Sequence, residues 1–220
     1  MVEPVHIVVP AHNEEQTLAD VLRPLIASQV FASILVVDDG SKDGTSEVAR
    51  RHGVPVMSLS PNRGKGEAMM AAVGKLPPGH AVAFCDADLM GLQPEHWRRM
   101  VGLFGLGYDM VCGLRDYSQF RNALQLVGPL ITGERIVRRW VLDLLPLNCW
   151  RGYSIETAMN ATVTLHGGKT AMFFMGGVGI RTKLDKTGWL SGTVGQAKMF
   201  SEIRKTQRAL EQSDGTTCEL

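Results

Sequence analysis

The sequence predicts an α/β fold, a mostly parallel sheet flanked by helices and followed by a helical second half. Two observations carry this. Short apolar runs alternate with amphipathic stretches over the first 113 residues, the pattern of successive βαβ units. Clusters rich in Asp, Asn, Gly and Lys then follow four of the apolar runs, where turns at a sheet edge belong.

The expected strands are Val5 to Val9, Ile34 to Asp38, Pro55 to Ser58, Ala81 to Cys85 and Asp109 to Cys112. Between them, a helix is expected behind Asn13 as N-cap, with Glu14 and Glu15 in its first turn. Others run from Thr45 to Arg51, capped by Thr45 and Ser46, from Gly66 to Lys75, and from Pro94 to Leu106. The second half reads as helices at Gln119 to Val127, Glu134 to Leu144, Ser154 to Leu165 and Thr193 to Gln212, with one strand at Thr170 to Met175. Gly176 to Gly179 and Asp185 to Gly192 read as loops, with the basic run Arg181, Lys183 and Lys186 between them. Right-handed crossovers gather the carboxyl ends of the first-half strands on one edge, where open α/β sheets bind ligands.

Composition narrows the class. The chain of 220 residues is 45% hydrophobic and 20% charged, ordinary for one globular domain spanning residues 1–220. A net charge of +1 gives no whole-chain reason to expect nucleic acid. The halves differ: residues 1–114 carry 9 basic and 13 acidic side chains, and residues 115–220 carry 14 and 9, so an anionic partner is easier to place against the second. Cys85, Cys112, Cys149 and Cys218 form no CxxC pair, which signals neither a zinc ribbon nor a disulfide scaffold and suits a reduced, cytoplasmic chain. MVEPVHIVVP lacks the features of a secretion signal, and the longest run without Asp, Glu, Lys or Arg, Pro24 to Val37, has 14 residues, too few to cross a bilayer.

Asp86 and Asp88 stand two apart at the end of a strand, so an extended backbone aims both carboxylates the same way, beyond the sheet. That suits one hard cation, Mg²⁺ or Mn²⁺, completed by substrate phosphates; a solvated turn before Pro94 is the plainer reading of the pair alone. Asn62-Arg63-Gly64-Lys65-Gly66-Glu67 places a lysine where a helix begins, against the macrodipole, and so asks for an anion. The GxxxxGK[ST] spacing of a P-loop is absent. In Asp38-Asp39-Gly40-Ser41, one aspartate lies at the ligand edge and suits a nucleobase or ribose.

VVPAHNEEQTL, VVDDGSKDGT, NRGKGEAM and FCDADL, in that order and spacing, resemble glycosyltransferase family 2, in its glucosyl-3-phosphoglycerate synthase-like and polyprenyl-phosphate glycosyltransferase-like branches. The resemblance covers residues 4 to 113 and implies a GT-A fold, with residues 1–114 as the nucleotide-sugar-binding half and 115–220 as the acceptor half. It implies that Pro10, Ala11 and Glu14 line the nucleoside site, that Asp39 contacts base or ribose, and that Lys65 approaches the donor. Asp86-Ala87-Asp88 becomes the DxD motif, with Asp88 the direct metal ligand and Asp86 nearer the ribose. PLITGERIVRR and GYSIETAMN are similar to acceptor-side segments, which makes Glu134 and Glu156 catalytic candidates. The same segments place Arg135, with Arg138 and Arg139, and Tyr153 on the acceptor side. Relatives carry a further histidine ligand near GGVGIRTKLDKTG, where this chain has Ile180, so the third protein ligand is open.

The implied activity is metal-dependent transfer from a UDP- or GDP-sugar to a small-molecule or lipid-phosphate acceptor. An anionic acceptor needs no general base; for a hydroxyl, Glu134 or Glu156 would serve. Stereochemistry, homodimerisation and peripheral membrane contact through Phe173, Phe174, Met175, Trp189 and Leu190 stay open. The competing classes are a nucleotide-sugar-binding protein without turnover, favoured by the missing histidine, and a nucleotidylyltransferase. The latter would open with GxGxR where this chain has PAHNEE.

Overall fold

The computed structural model describes residues 3–115, 132–150 and 155–180. Four parallel strands, β1 (Val5–Ala11), β2 (Ser33–Asp39), β3 (Val56–Leu59) and β4 (Ala81–Phe84), form one side of a seven-stranded sheet. A short strand β5 (Leu89–Met90) follows, and the sheet continues with β6 (Met110–Arg115), β7 (Arg135–Val137) and β8 (Thr170–Met175), in the order β3-β2-β1-β4-β7-β6-β8. β7 is antiparallel to both neighbours, which leaves β6 and β8 running with β1 to β4. β5 pairs with β9 (Gly179–Ile180) in a separate two-stranded ladder.

The helices are α1 (Leu18–Ser28), α2 (Thr45–Arg51), α3 (Lys65–Val73), α4 (Pro94–Gly105), α5 (Arg139–Asp143) and α6 (Ile155–Leu165), with a 3₁₀ turn at Leu147–Trp150. They close two cores, one on each sheet face. Ile7, Val9 and Ala83 pack with Leu18, Leu22, Trp97 and Phe104. Val8, Val82 and Phe84 pack with Met69, Ala72, Trp150 and Met159. Alternate β1 residues thus face opposite sides of the sheet, both covered, which is why this strand is buried throughout rather than alternating. Gly66 lets α3 reach the 3₁₀ turn, because a Cβ there would collide with the Trp150 carbonyl.

Several expectations are corrected. Asn13 does not cap α1: it lies at φ 57, its side chain accepts the Lys42 amide at 2.8 Å, and the helix begins only at Leu18 behind Thr17. Glu14 and Glu15 are thereby freed from the helix. Asp43, rather than Thr45 or Ser46, accepts the Thr45 amide at the start of α2, while the Ser46 hydroxyl donates to Asp38. The helix expected over Glu134 to Leu144 is instead a β-strand followed by the short α5. Ile136 and Val137 fill the gap between β4 and β6, and ladder pairing on both sides outweighs the local helical spacing. β6 extends three residues past the expected Cys112, to Arg115. The Thr170 to Met175 strand is found as expected, and Gly179 starts β9 rather than ending a loop.

The helices expected at Gln119 to Val127 and Thr193 to Gln212, the loop Asp185 to Gly192, and Arg181, Lys183 and Lys186 lie outside the described residues. No helix among the described residues is long and apolar enough to cross a membrane.

Candidate functional site

The loops after β1 to β4 converge on one cavity of about 360 Å³. The β1 loop contributes Pro10, Ala11, His12 and Glu14, and the end of β2 contributes Asp39. Asn62, Gly64 and Lys65 come from the β3 loop, and Asp86, Ala87 and Asp88 follow β4. All seven residues expected at a donor site therefore line a single cavity at the carboxyl edge.

Asp39 organises the loop that carries the lysine. Its two carboxylate oxygens accept the Arg63 and Gly64 amides at 2.8 and 2.7 Å, and its carbonyl accepts the Asn62 side-chain amide at 3.0 Å. The His12 ring lies 2.8 Å from the same carbonyl through Nδ1, which makes that nitrogen the protonated one. Glu14 accepts a hydrogen bond from the Thr17 hydroxyl at 2.6 Å.

The anion that Lys65 requires is supplied by the protein itself. Its Nζ lies 2.7 Å from Asp86 Oδ1 and 2.9 Å from Glu156 Oε1. Burial alone would lower the Lys65 ammonium, but the two carboxylates hold it well above its ordinary value and keep it charged. Arg115 Nη2 reaches the other Asp86 oxygen at 2.9 Å. Burial would raise the Asp86 carboxyl, yet Lys65 and Arg115 outweigh it and hold the group below its usual range.

Asp88 differs sharply from its neighbour. Burial, then Asp86, then Glu14 push its carboxyl up, and among the described residues it makes no ion pair. Such a group gains from a hard cation, which suits an oxygen-liganded Mg²⁺ or Mn²⁺. The protein donor set is thin, however. Among the described residues no three His, Cys, Asp or Glu side chains gather to hold a metal, and position 180, Ile rather than His, pairs with Leu89 in the β5–β9 ladder, one residue past Asp88 in the chain.

The second half meets the site through Glu156 and Glu134, with different outcomes. Glu156, at the start of α6, is nearly buried and gives its carboxylate to Lys65. Glu134 is fully buried and does not line the cavity, so the expectation that it faces substrate is corrected. Its Oε1 accepts from Arg115 at 3.2 Å, and its Oε2 lies 2.8 Å from the Thr132 hydroxyl, which is also 2.6 Å from the Gly113 carbonyl. One hydroxyl proton cannot serve both oxygens, and a protonated Glu134 satisfies both contacts. Burial, then Asp86, push the Glu134 carboxyl up in agreement.

Arg135 is also corrected. It is fully buried, and its guanidinium donates to the Thr132 carbonyl at 2.7 and 3.1 Å, to the Glu156 carbonyl at 3.1 Å and to Asn160 Oδ1 at 3.2 Å. It braces the Thr132 turn against α6 and offers no charge to an acceptor. Arg138 pairs with Glu3 at 2.6 Å and Arg139 with Asp143 at 2.8 Å, at the opposite edge of the sheet, because β7 runs antiparallel to β4. The expected basic patch therefore does not form. Nor do Phe173 and Met175 offer a membrane face: Met175 is fully buried and Phe173 packs against the first core. Tyr153, Trp189 and Leu190 lie outside the described residues.

Arg115, Thr132 and Gly133 were not expected here. The legible signal for Arg115 is a cation following the apolar run of β6, three residues beyond the strand end expected at Cys112. Gly133 admits the Asp86 carboxylate, with which a Cβ at this position would collide.

The model of the family described as glycosyl transferase family 2 matches residues 6–144. An undecaprenyl-phosphate 4-deoxy-4-formamido-L-arabinose transferase of Pseudomonas fluorescens is 36% identical over 161 residues, covering 69% of this chain and 43% of that protein. The glycosyltransferase AglJ of Haloferax volcanii is 30% identical over 167 residues, covering 73% and 54%. The chain spans about half the length of the curated relatives it matches. Among solved structures, glucosyl-3-phosphoglycerate synthase of Mycobacterium tuberculosis with phosphoglyceric acid superposes with TM-score 0.75 at 22% identity, covering 93% of this chain and 80% of that one. The same synthase with Mn²⁺, UDP-glucose and phosphoglyceric acid gives 0.71 at 25% identity, with 91% and 80% covered. With Mg²⁺ and UDP it gives 0.71 at 26%, with 91% and 79% covered.

Proposed function

The chain belongs to glycosyl transferase family 2 and has the GT-A fold, and from that premise we propose that it transfers a sugar from a UDP- or GDP-sugar to a phosphate-bearing acceptor with the help of Mg²⁺ or Mn²⁺. The observation that carries this reading is the convergence of Glu14, Asp39, Lys65, Asp86 and Asp88 on one cavity at the carboxyl edge of the sheet. The solved synthase complexes with UDP-glucose and Mn²⁺ support the donor and the metal.

Asp88 is the residue to hold the cation, with the donor's own phosphates completing a set that is thin among the described residues. A bound cation would neutralise charge on the departing nucleoside diphosphate. Lys65 stays protonated, and its ammonium, with three donors, can add a phosphate oxygen to its two carboxylate partners and so place a second positive charge at the same point. Asp86, gripped through both oxygens, presents a fixed acceptor to ribose hydroxyls. Glu156, already ion-paired with Lys65, is a poor general base, which favours an acceptor that is itself an anion. Support for phosphate on that acceptor comes from the undecaprenyl-phosphate and phosphoglyceric acid relatives rather than from Arg135.

Titrating UDP- and GDP-sugars with and without Mn²⁺, while following release of nucleoside diphosphate, tests the reading. Metal-dependent binding and release are expected, and both should weaken at least tenfold, by rough expectation, in Asp88→Ala. Absence of any nucleotide-sugar binding, or binding indifferent to Asp88→Ala, would refute it. Tight binding without release to any phosphorylated acceptor would instead identify a nucleotide-sugar-binding protein.

A further inference from the structure

Resting on the reading of the cavity as a donor site, we propose that Glu134 is a positioning residue. From a seat without solvent contact it holds Arg115 against Asp86, so that Asp86 meets the donor already oriented.

The geometry runs through a single nitrogen. Arg115 Nη2 lies 3.2 Å from Glu134 Oε1 and 2.9 Å from Asp86 Oδ2. An arginine at the end of a strand has several rotatable bonds, and anchoring its guanidinium on a buried carboxyl removes that freedom before the donor arrives. With Lys65 on Oδ1 and Arg115 on Oδ2, the Asp86 side chain is confined through both oxygens.

Glu134 is itself fixed at two points. Its carbonyl accepts the Gly113 amide at 2.8 Å, which ties the residue to β6, and its Oε2 meets the Thr132 hydroxyl at 2.8 Å. Gly133, between them, leaves room for the carboxylate that the arrangement orients. Three consecutive residues thus serve Asp86: Thr132 steadies Glu134, Glu134 anchors Arg115, and Gly133 clears the approach. Burying an acid is costly, and this one faces the side chain that grips Asp86 rather than the apolar core.

A double-mutant cycle on the full chain decides the matter, with UDP and Mn²⁺ as the calorimetric probe. Glu134→Ala is expected to weaken UDP binding about tenfold, and the double variant with Asp86→Ala should bind about as well as Asp86→Ala alone. Glu134→Gln, which can accept from Arg115 and donate to Thr132, should recover affinity to within about threefold of wild type. If Glu134→Ala does not fold, Thr132→Val, which removes the hydroxyl at Oε2 together with its bond to the Gly113 carbonyl and leaves the Glu134 side chain in the protein, replaces it in the cycle. Losses that multiply in the double variant, or equal losses for Ala and Gln in protein with native melting behaviour, overturn the positioning role. Wild-type UDP binding carries the donor-site reading separately, so multiplying losses leave that reading intact.

Discussion

The Lys65 ammonium lies 2.7 Å from Asp86 Oδ1, joining the loop after β3 to the end of β4, and its second partner, Glu156, joins both to α6. Replacing the lysine should therefore affect donor binding and folding together. Lys65→Met leaves two largely buried carboxylates without their shared cation. A stability loss of about 1–3 kcal/mol is expected, below that of a fully buried pair because Lys65 is 37% exposed. Urea unfolding with parallel UDP titration checks this, and an unchanged midpoint would show that the pairs contribute nothing.

Gly133→Ala tests the approach of Asp86 directly. The new methyl group would collide with the Asp86 carboxyl and push it off Lys65 and Arg115, a conflict with a side chain rather than with backbone, so the fold should survive. UDP affinity should fall about tenfold while the melting temperature drops by only about 2–4 °C. A large melting loss with normal affinity would mean that the backbone, rather than Asp86, gives way.

Arg135 separates a structural role from an acceptor role. Arg135→Lys keeps one charge but loses the planar fork that serves Thr132, Glu156 and Asn160. It should destabilise the fold by about 2–4 kcal/mol, as buried oxygens lose their donors, with little change in acceptor KM among the molecules that remain folded. A raised acceptor KM with normal stability would restore the surface role.

At the opposite edge of the sheet, His6 Nε2 lies 2.9 Å from His80 Nδ1, and His6 Nδ1 lies 2.7 Å from the Ser33 hydroxyl. Burial, then the neighbouring His80, lower the His6 imidazole below its ordinary 6.5. The unfolded chain then binds this proton more readily than the folded one. The His6 contribution to stability is accordingly present above the ordinary value and lost as pH falls through it toward the lower folded value. The stability difference between wild type and His6→Gln should shrink between pH 7.5 and pH 5.5 in urea titrations. A difference independent of pH would rule out the shift.

How much of this was legible in the sequence depends on how local each determinant is. Asp39, Lys65, Asp86 and Asp88 were readable because each follows an apolar run within a few residues, and parallel crossovers bring such positions to one edge whatever the helices contain. The start of α1 was misread because Asn13 gives its side chain to Lys42, 29 residues away, instead of to its own helix. The segment from Glu134 was misread for the same kind of reason, since its pairing partners, β4 and β6, are distant in sequence.

The sequence by itself determined the alternation of strands and helices, the family motifs and the residues of the donor edge. These follow from periodicity, turn chemistry and short spacing. Only the tertiary structure decided that Glu134 and Arg135, adjacent in the chain, turn to different tasks. Insertion of β7 between β4 and β6 sends successive side chains to opposite faces of the sheet, and burial then leaves each only the partners within reach: Arg115 and Thr132 for one, the Thr132 turn and α6 for the other.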